Sequence, residues 1–224
     1  MLKNKELIIF DMDGTLIDSA PSLAYAINHM LKELNRETIT LDRVREFIGK
    51  GSEILVKRAL LNQVDIDNIE INEQEFKNAH KILLDFYGKN LNAKTTLFSN
   101  TKETLEELQK NYKIALVTNK PHQFVSEILE HFKIDSYFDY ILGATDKIAK
   151  KPAPDMLLES CKNFDIEPKY AVMVGDSNND ILAAKSANID TIAVTYGYSN
   201  EDISTLNPTI MVDNLAQIPK VLNG

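Results

Sequence analysis

The chain has 224 residues, 44% of them hydrophobic, which is enough to bury a sizeable core in one domain or in two. Its 33 acidic residues outnumber its 25 lysines and arginines, and the formal net charge of -8 argues against a general nucleic-acid or anionic-membrane binder, because such proteins need a basic surface. The single cysteine, Cys161, excludes an intrachain disulfide, and its position in a helical pattern favours a buried reduced thiol over a nucleophile.

The N-terminal residues lead directly into a predicted strand and leave no room for the apolar segment and cleavage site of a signal peptide. No stretch approaches the apolar length that a membrane span needs. We therefore expect a cytoplasmic protein without a membrane or nucleic-acid partner. Its oligomeric state, monomer or homodimer, is left open by the sequence.

The first predicted element is a strand over Leu7 to Phe10, an uninterrupted apolar run typical of a strand buried on both faces of a parallel sheet. Helical periodicity follows from Pro21 to Leu34, and it continues without a convincing strand over 41–48, 52–61 and 73–87. About seventy residues of helix after a strand of an α/β sheet indicate an insertion. We predict a helical cap domain over 18–86 and an α/β catalytic core formed by 1–17 and 87–224.

From residue 100 the pattern alternates between helix and strand, as a doubly wound, mostly parallel sheet requires. Asn100 and Glu103 predict a capping box at the start of a helix over 101–110. The later predicted elements are strand 113–117, helix 121–132, strand 140–142, helix 153–164, strand 170–174, helix 180–187, strands 191–194 and 209–212, and helix 215–221. The predicted fold class is therefore α/β, with a Rossmann-like core and an inserted helical cap.

Two carboxylates, Asp11 and Asp13, come directly after the first strand and are followed by Gly14, which allows a sharp turn. Ligands of open α/β sheets bind beyond the carboxyl ends of the strands. Like charges this close repel each other in a site of low dielectric, so a cation is needed beside them. Mg²⁺ prefers oxygen ligands and is often held by one or two carboxylates plus substrate phosphate oxygens. The sequence therefore predicts a Mg²⁺ site at this strand end.

The run from Asp11 to Leu16 resembles the first motif of the haloacid dehalogenase superfamily. In the phosphatases of that superfamily the first aspartate is a nucleophile and the second a general acid and base. The resemblance therefore implies that Asp11 attacks phosphorus to form an aspartyl-phosphate, while Asp13 protonates the leaving oxygen and later activates water.

Two further strand ends resemble the second and third motifs of the same superfamily. Thr118-Asn119 follows a core strand, and the resemblance implies that its hydroxyl and nearby backbone N–H groups hold phosphate oxygens. Lys151, in the run Lys150-Lys151-Pro152, corresponds to a lysine that neutralises charge on the phosphate and on the nucleophile. The alternative for Thr118-Asn119 is a strand-to-helix turn with a helix cap, and the alternative for Lys150-Lys151 is a solvated lysine pair before a helix.

The run Gly175-Asp176-Ser177-Asn178-Asn179-Asp180 resembles the fourth motif and follows another predicted buried strand. The resemblance implies that Asp176 ligates Mg²⁺ beside Asp11 and the backbone carbonyl of Asp13. It also implies that Asp180 and Ser177 support this set of ligands.

Nearly the whole chain resembles the phosphoglycolate phosphatases of this superfamily, in stretches that include 47–51, 58–60, 116–121 and 195–198. That resemblance implies hydrolysis of 2-phosphoglycolate, a small phosphate ester, to glycolate and phosphate. Lys50 and Arg58 of the predicted cap are candidates for binding the substrate carboxylate. The alternative for Lys50 is a solvated turn residue, and the alternative for Arg58 is an exposed charge on a helix.

Other activities on the same fold remain as alternatives. Pyrophosphatases and sugar phosphatases with the same cap type share all of these motifs. Dehalogenases need no second aspartate, and phosphonate hydrolases usually carry a small residue in its place, so Asp13 argues against both. A non-catalytic regulatory protein on the same fold would not need a nucleophile, and the intact set of Asp11, Asp13, Lys151 and Asp176 argues against it.

Overall fold

The computed structural model describes residues 2–199 and 202–223. The chain divides into two compact units, one formed by Met1–Asp18 with Leu97–Gly224 and the other by Ser19–Thr96. The elements in chain order are β1 (Leu7–Phe10), β2 (Ile17–Asp18), α1 (Ala20–Glu33), α2 (Leu41–Arg45), α3 (Ser52–Leu61), α4 (Glu73–Gly88), β3 (Thr96–Leu97), α5 (Thr101–Leu108), β4 (Lys113–Pro121), α6 (Val125–Phe132), β5 (Tyr140–Ala144), α7 (Asp155–Phe164), β6 (Ala171–Gly175), α8 (Asn178–Ser186), β7 (Asp190–Val194), β8 (Ile210–Val212) and α9 (Ile218–Asn223).

The helical unit extends further along the chain than the predicted limit at residue 86, because the segment after α4 is bonded back to α1. The backbone N–H of Lys94 and the hydroxyl of Thr95 both donate to Ser22 Oγ, each at 2.9 Å. Sequence periodicity carries no signal for such contacts, since the segment itself is not helical.

The core unit is built on a six-stranded sheet in the order β5-β4-β1-β6-β7-β8. Every pairing in it is parallel. The predicted α/β class with a mostly parallel sheet is confirmed. A separate two-stranded sheet pairs β2 with β3.

Strand β1 lies at the centre of the large sheet, and none of its four residues is exposed to solvent. Its last residue, Phe10, is in register with Leu116 of β4 on one side and with Val174 of β6 on the other. The carboxyl ends of β4, β1 and β6 therefore lie side by side. This is the switch point of the sheet, because β4 and β6 lie on opposite sides of β1. Open α/β sheets bind ligands at this kind of position.

The capping box predicted at Asn100 is wrong. Asn100 adopts a left-handed backbone with φ of 65°, and its side-chain amide donates to Asn214 Oδ1 at 2.9 Å instead of capping the helix. The hydroxyl of Thr101 binds the Leu16 carbonyl at 3.0 Å. An asparagine tolerates the left-handed region, so this tertiary contact overrides the local capping pattern. By contrast, Asn188 after α8 adopts the left-handed region, with φ of 56°, as asparagines commonly do after helices.

Strand β4 and the segment after it also differ from expectation. The strand continues through Pro121 instead of ending at residue 117, and a 3₁₀ turn over His122–Phe124 precedes α6. In the parts of the chain that the structure describes, no helix is long and apolar enough to cross a membrane.

Candidate active site

The ends of β1 and β6 bring three buried aspartates together in the core unit. Asp11 follows β1, Asp176 follows β6, and Asp180 lies in the first turn of α8. Each offers a carboxylate oxygen, and these oxygens all lie within 4.8 Å of one another. Residues that are far apart in the sequence thus form one acidic cluster.

Lys151 is the cation of this cluster. Its Nζ lies 3.0 Å from Asp11 Oδ1 and 2.7 Å from Asp180 Oδ1, and it donates to the Val117 carbonyl at 2.7 Å. The contacts with Asp180 and Val117 are hydrogen bonds, and the contact with Asp11 is an ion pair. Although burial opposes the charged form, the carboxylates of Asp11 and Asp180 raise the pKa of Lys151 above its ordinary value, and it remains an ammonium ion.

The backbone of Lys151 is fixed by the side-chain amide of Asn119. Asn119 Nδ2 donates to the Lys151 carbonyl at 2.8 Å, and the Lys151 N–H donates to Asn119 Oδ1 at 3.0 Å. The following peptide bond to Pro152 is cis. The Asn119 side chain therefore orients the backbone of Lys151.

Thr118 is 1% exposed, and its hydroxyl accepts from the Lys120 N–H at 3.2 Å.

Burial of the carboxylates has a clear electrostatic consequence. Desolvation, with added repulsion from Asp180 and Asp13, raises the pKa of Asp11 to about 7 in spite of the attraction of Lys151. The pKa of Asp176 is also well above its ordinary range, through burial and then through Asp180 and Asp11. One lysine does not compensate so many buried carboxylates, and an oxygen donor set of this kind fits a hard divalent cation such as Mg²⁺.

Asp176 is held in place from two sides. Its Oδ1 accepts from the Thr15 hydroxyl at 3.1 Å, and its Oδ2 accepts from the Tyr198 N–H at 2.7 Å. Gly14, with φ of 88°, and Gly197 pass so close that a Cβ on either would lie 2.2 Å from an atom of the Asp176 side chain. Only glycine leaves room for the carboxylate at these two positions.

Asp180 links the N-terminus of α8 to Lys151. Its Oδ2 accepts from the Ser177 N–H at 3.0 Å and from the Ser177 hydroxyl at 2.7 Å, within a capping box at the start of α8. Its other oxygen binds Lys151. The side chain is completely buried, so the cap of α8 sets the position of this carboxylate and, through it, of Lys151.

Sequence reasoning missed several polar groups beside the cluster. Lys120 Nζ lies 3.0 Å from Asp13 Oδ2. The Tyr196 hydroxyl donates to the Thr15 carbonyl at 2.7 Å, and the Tyr198 hydroxyl donates to Asp18 Oδ1 at 2.7 Å. All three residues lie in stretches that resemble phosphoglycolate phosphatases, but nothing in their local pattern indicates what they contact.

The two remaining predicted site residues, Lys50 and Arg58, belong to the helical unit. Lys50 is exposed between Gly49 and Gly51, whose φ angles are 111° and 85°. Arg58 is only 7% exposed, and its guanidinium donates to the carbonyls of two residues after α2, Glu46 at 3.4 Å and Phe47 at 3.1 Å. The Arg58 side chain thus stabilises the connection between α2 and α3, and contact of either residue with substrate stays a prediction.

Comparison with known proteins adds independent information. A family model described as haloacid dehalogenase-like hydrolase matches residues 8–194. The phosphoglycolate phosphatase of Psychrobacter arcticus is 42% identical over 217 residues, which cover 96% of this chain and 94% of that protein. The phosphoglycolate phosphatase of Colwellia psychrerythraea is 39% identical over 219 residues, covering 97% of this chain and 96% of that protein.

A solved structure is similar over the same extent. The crystal structure of a predicted phosphoglycolate phosphatase from Haemophilus somnus 129PT superposes with a TM-score of 0.91 at 39% sequence identity, and covers 97% of this chain and 98% of that one. The similarity in sequence and in fold therefore extends over both units of the chain.

Proposed function

The chain belongs to the haloacid dehalogenase-like hydrolase family, and on that premise we propose that it hydrolyses 2-phosphoglycolate to glycolate and phosphate with Mg²⁺. It is a phosphoric monoester hydrolase, as its family and its relatives establish. The observation that carries the finer proposal is the convergence of Asp11, Asp176 and Asp180 on one buried point with Lys151 at its side.

Asp11 acts as the nucleophile in this proposal. One of its carboxylate oxygens forms a bond to phosphorus while the bond from phosphorus to the ester oxygen breaks, which gives an aspartyl-phosphate and the alcohol. Lys151, 3.0 Å from Asp11 Oδ1, favours the ionised carboxylate and compensates negative charge on the transferring group. The buried setting strengthens this attraction, because little water screens it.

Asp13 supplies and removes the protons. Its carboxyl group gives a proton to the departing ester oxygen and, as a carboxylate, then takes a proton from the water that attacks the aspartyl-phosphate. Hydrolysis returns Asp11 to a free carboxylate and releases phosphate, so protons and charge balance over the cycle. The side chain of Asp13 is 12% exposed, which leaves it accessible to a small substrate.

The residues suited to hold Mg²⁺ are Asp11, Asp176 and the backbone carbonyl of Asp13, with Asp180 in the same cluster. When bound, Mg²⁺ would compensate the buried negative charge and polarise the phosphoryl oxygens. Thr15 and Tyr198 orient Asp176 through its two oxygens, so this ligand is preorganised by the fold.

The choice of 2-phosphoglycolate is supported by the names of relatives at about 40% identity over nearly the full chain. Lys50 and Arg58 remain the proposed contacts for its carboxylate. A cytoplasmic location and a monomeric or homodimeric state also remain predictions from the sequence.

The test is a substrate panel assayed with Mg²⁺ and, in parallel, with a chelator. The panel contains 2-phosphoglycolate, pyrophosphate and several sugar phosphates. We expect 2-phosphoglycolate to have the highest kcat/KM and the chelator to abolish turnover. A higher kcat/KM for pyrophosphate or for a sugar phosphate would overturn the substrate assignment, and full activity in the chelator would overturn the Mg²⁺ assignment.

Replacement of the nucleophile tests the mechanism. Asp11→Asn should lose turnover by several orders of magnitude while the protein stays folded, because the amide cannot form the phosphoenzyme. Asp139→Asn is the matched control, since Asp139 pairs with Lys113 at 2.7 Å at the other end of β4. Turnover retained by Asp11→Asn would eliminate the nucleophile assignment.

A further inference from the structure

Lys120 is a buried cation that the proposed chemistry does not yet use. Its side chain is 3% exposed, and its Nζ lies 3.0 Å from Asp13 Oδ2. Burying an ammonium group is costly unless a charged partner accompanies it, and a lysine near a strand end can usually reach water. This pairing therefore favours a specific role for Lys120 over an incidental one.

The backbone of β4 places Lys120 in this position. In the pairing with β5, Thr118 is opposite Gly143 and Pro121 is opposite the next residue, Ala144. Two residues of β4, Asn119 and Lys120, are thus extra relative to β5. Bulges of this kind redirect side chains near active sites. Here one extra residue holds the backbone of Lys151 and the other reaches Asp13.

The two lysines of the site serve different aspartates. Lys151 donates hydrogen bonds to Asp180 and to the Val117 carbonyl, and it forms an ion pair with Asp11. Its donors are thereby engaged by groups other than Asp13. Asp13 instead forms an ion pair with Lys120.

We propose that Lys120 is a positioning residue that holds the Asp13 carboxyl group in line with the leaving oxygen of the substrate. This inference rests on the proposed function, in which Asp13 is the general acid. Lys120 acts through Asp13, so its loss should affect proton donation more than phosphoryl transfer itself. A misplacement of about 1 Å in such a group costs on the order of 100-fold in rate.

The dependence on the leaving group separates this role from a general structural one. An alkoxide such as that of glycolate is a poor leaving group and needs a proton as it departs, whereas p-nitrophenolate leaves without one. The ratio kcat/KM covers the steps up to release of the alcohol. A change in kcat/KM therefore reports on the general acid, and it does not include the later hydrolysis of the aspartyl-phosphate.

The experiment compares Lys120→Met with wild type on 2-phosphoglycolate and on p-nitrophenyl phosphate, both with Mg²⁺. We expect kcat/KM to fall about 10- to 100-fold for the alkyl substrate and less than about threefold for the aryl substrate. Lys120→Arg, which keeps the charge, should recover part of the loss. Equal losses on both substrates would overturn the proposal, because they would indicate general damage to the site.

A double-mutant cycle then tests whether Lys120 acts through Asp13. In the Asp13→Asn background, adding Lys120→Met should lower kcat/KM for the alkyl substrate by less than about threefold, because the group it positions is already absent. A full additional loss in that background would show that Lys120 acts elsewhere, and would also overturn the proposal.

Lys113→Met is the matched control. Lys113 is the first residue of the same strand and also forms an ion pair, with Asp139, but its side chain is 55% exposed. It should behave as wild type on both substrates. If wild type prefers another alkyl phosphate in the substrate panel, only the substrate assignment fails, and the comparison is made with that ester. A wild type without phosphatase activity would overturn the proposed function itself.

Discussion

Without a divalent cation, the stability of this protein should fall as the pH rises through the neutral range. The acidic cluster is buried, and burial together with neighbouring carboxylates raises the pKa of Asp11 from an ordinary 3.8 to about 7. In the unfolded chain the same carboxyl group returns to its ordinary pKa. Between these two values the folded protein holds a proton that the unfolded protein has released.

The sign and size of the effect follow from this difference. A group that binds its proton more tightly in the folded state stabilises the fold below its unfolded pKa, and this stabilisation is lost as the pH rises to the folded pKa. One such proton changes the free energy of unfolding by about 1.4 kcal/mol per pH unit. From pH 5 to pH 7, Asp11 alone should remove roughly 2 kcal/mol, because it is already half ionised at pH 7, and the raised pKa of Asp176 acts in the same direction.

The assay is urea unfolding in a chelator at pH 5, 6 and 7, repeated with saturating Mg²⁺. We expect the free energy of unfolding to decrease with pH in the chelator, and the stabilisation by Mg²⁺ to be larger at pH 7 than at pH 5, because the metal competes with protons for the same oxygens. Asp11→Asn should reduce the slope by roughly 1 kcal/mol per pH unit over this range. A metal-free stability that stays constant or rises from pH 5 to pH 7 would refute the electrostatic reasoning.

Three further predictions test the supports of the site. Asn119→Ala removes both hydrogen bonds to the Lys151 backbone, and kcat/KM should fall about 10- to 100-fold in a folded protein. Gly197→Ala would place a Cβ 2.2 Å from the Asp176 Cβ, so Mg²⁺ affinity measured by calorimetry should weaken by about 10- to 100-fold. Cys161 is 3% exposed, and burial raises the pKa of its thiol to about 11, so it should resist alkylation at pH 8 until urea unfolds the chain.

Each of these predictions has an outcome that contradicts it. Wild-type kcat/KM in Asn119→Ala would mean that the lysine is oriented without the amide. Unchanged Mg²⁺ affinity in Gly197→Ala would mean that Asp176 tolerates displacement. Rapid alkylation of Cys161 in the native protein would mean that α7 opens locally. Circular dichroism spectra of the two variants, compared with wild type, verify that the fold is kept.

Much of this site could be predicted because its residues come directly after buried strands. The apolar runs before Asp11 and before Asp176 indicate strands of a parallel sheet, and adjacent parallel strands place their carboxyl ends together. The resemblance to the superfamily motifs implies that these aspartates meet, and the pairing of β1 with β6 brings them together. Asp180 follows in the first turn of the next helix, so its place in the cluster is fixed by the same strand end.

The other contacts of the site are tertiary contacts, and no local sequence pattern indicates them. The bulge that turns Lys120 toward Asp13 appears only in the pairing of β4 with β5, and the N–H of Tyr198 reaches Asp176 from a loop 22 residues later. Arg58 shows the same difficulty. An exposed helix charge is one of the two interpretations that the sequence allows for it, but the side chain is buried and binds the backbone carbonyls of Glu46 and Phe47.

The supports of the cluster explain how the fold tolerates so many buried carboxylates. Asp180 is bonded to the cap of α8 and to Lys151, and Asp176 is bonded to a hydroxyl and a backbone N–H, so neither can turn away from its neighbours toward water. Folding alone therefore places like charges together at a cost in free energy. A divalent cation would offset that cost, and the same fixed oxygens would then bind it without rearrangement. Stability and metal affinity should consequently change together in any variant that loosens these bonds.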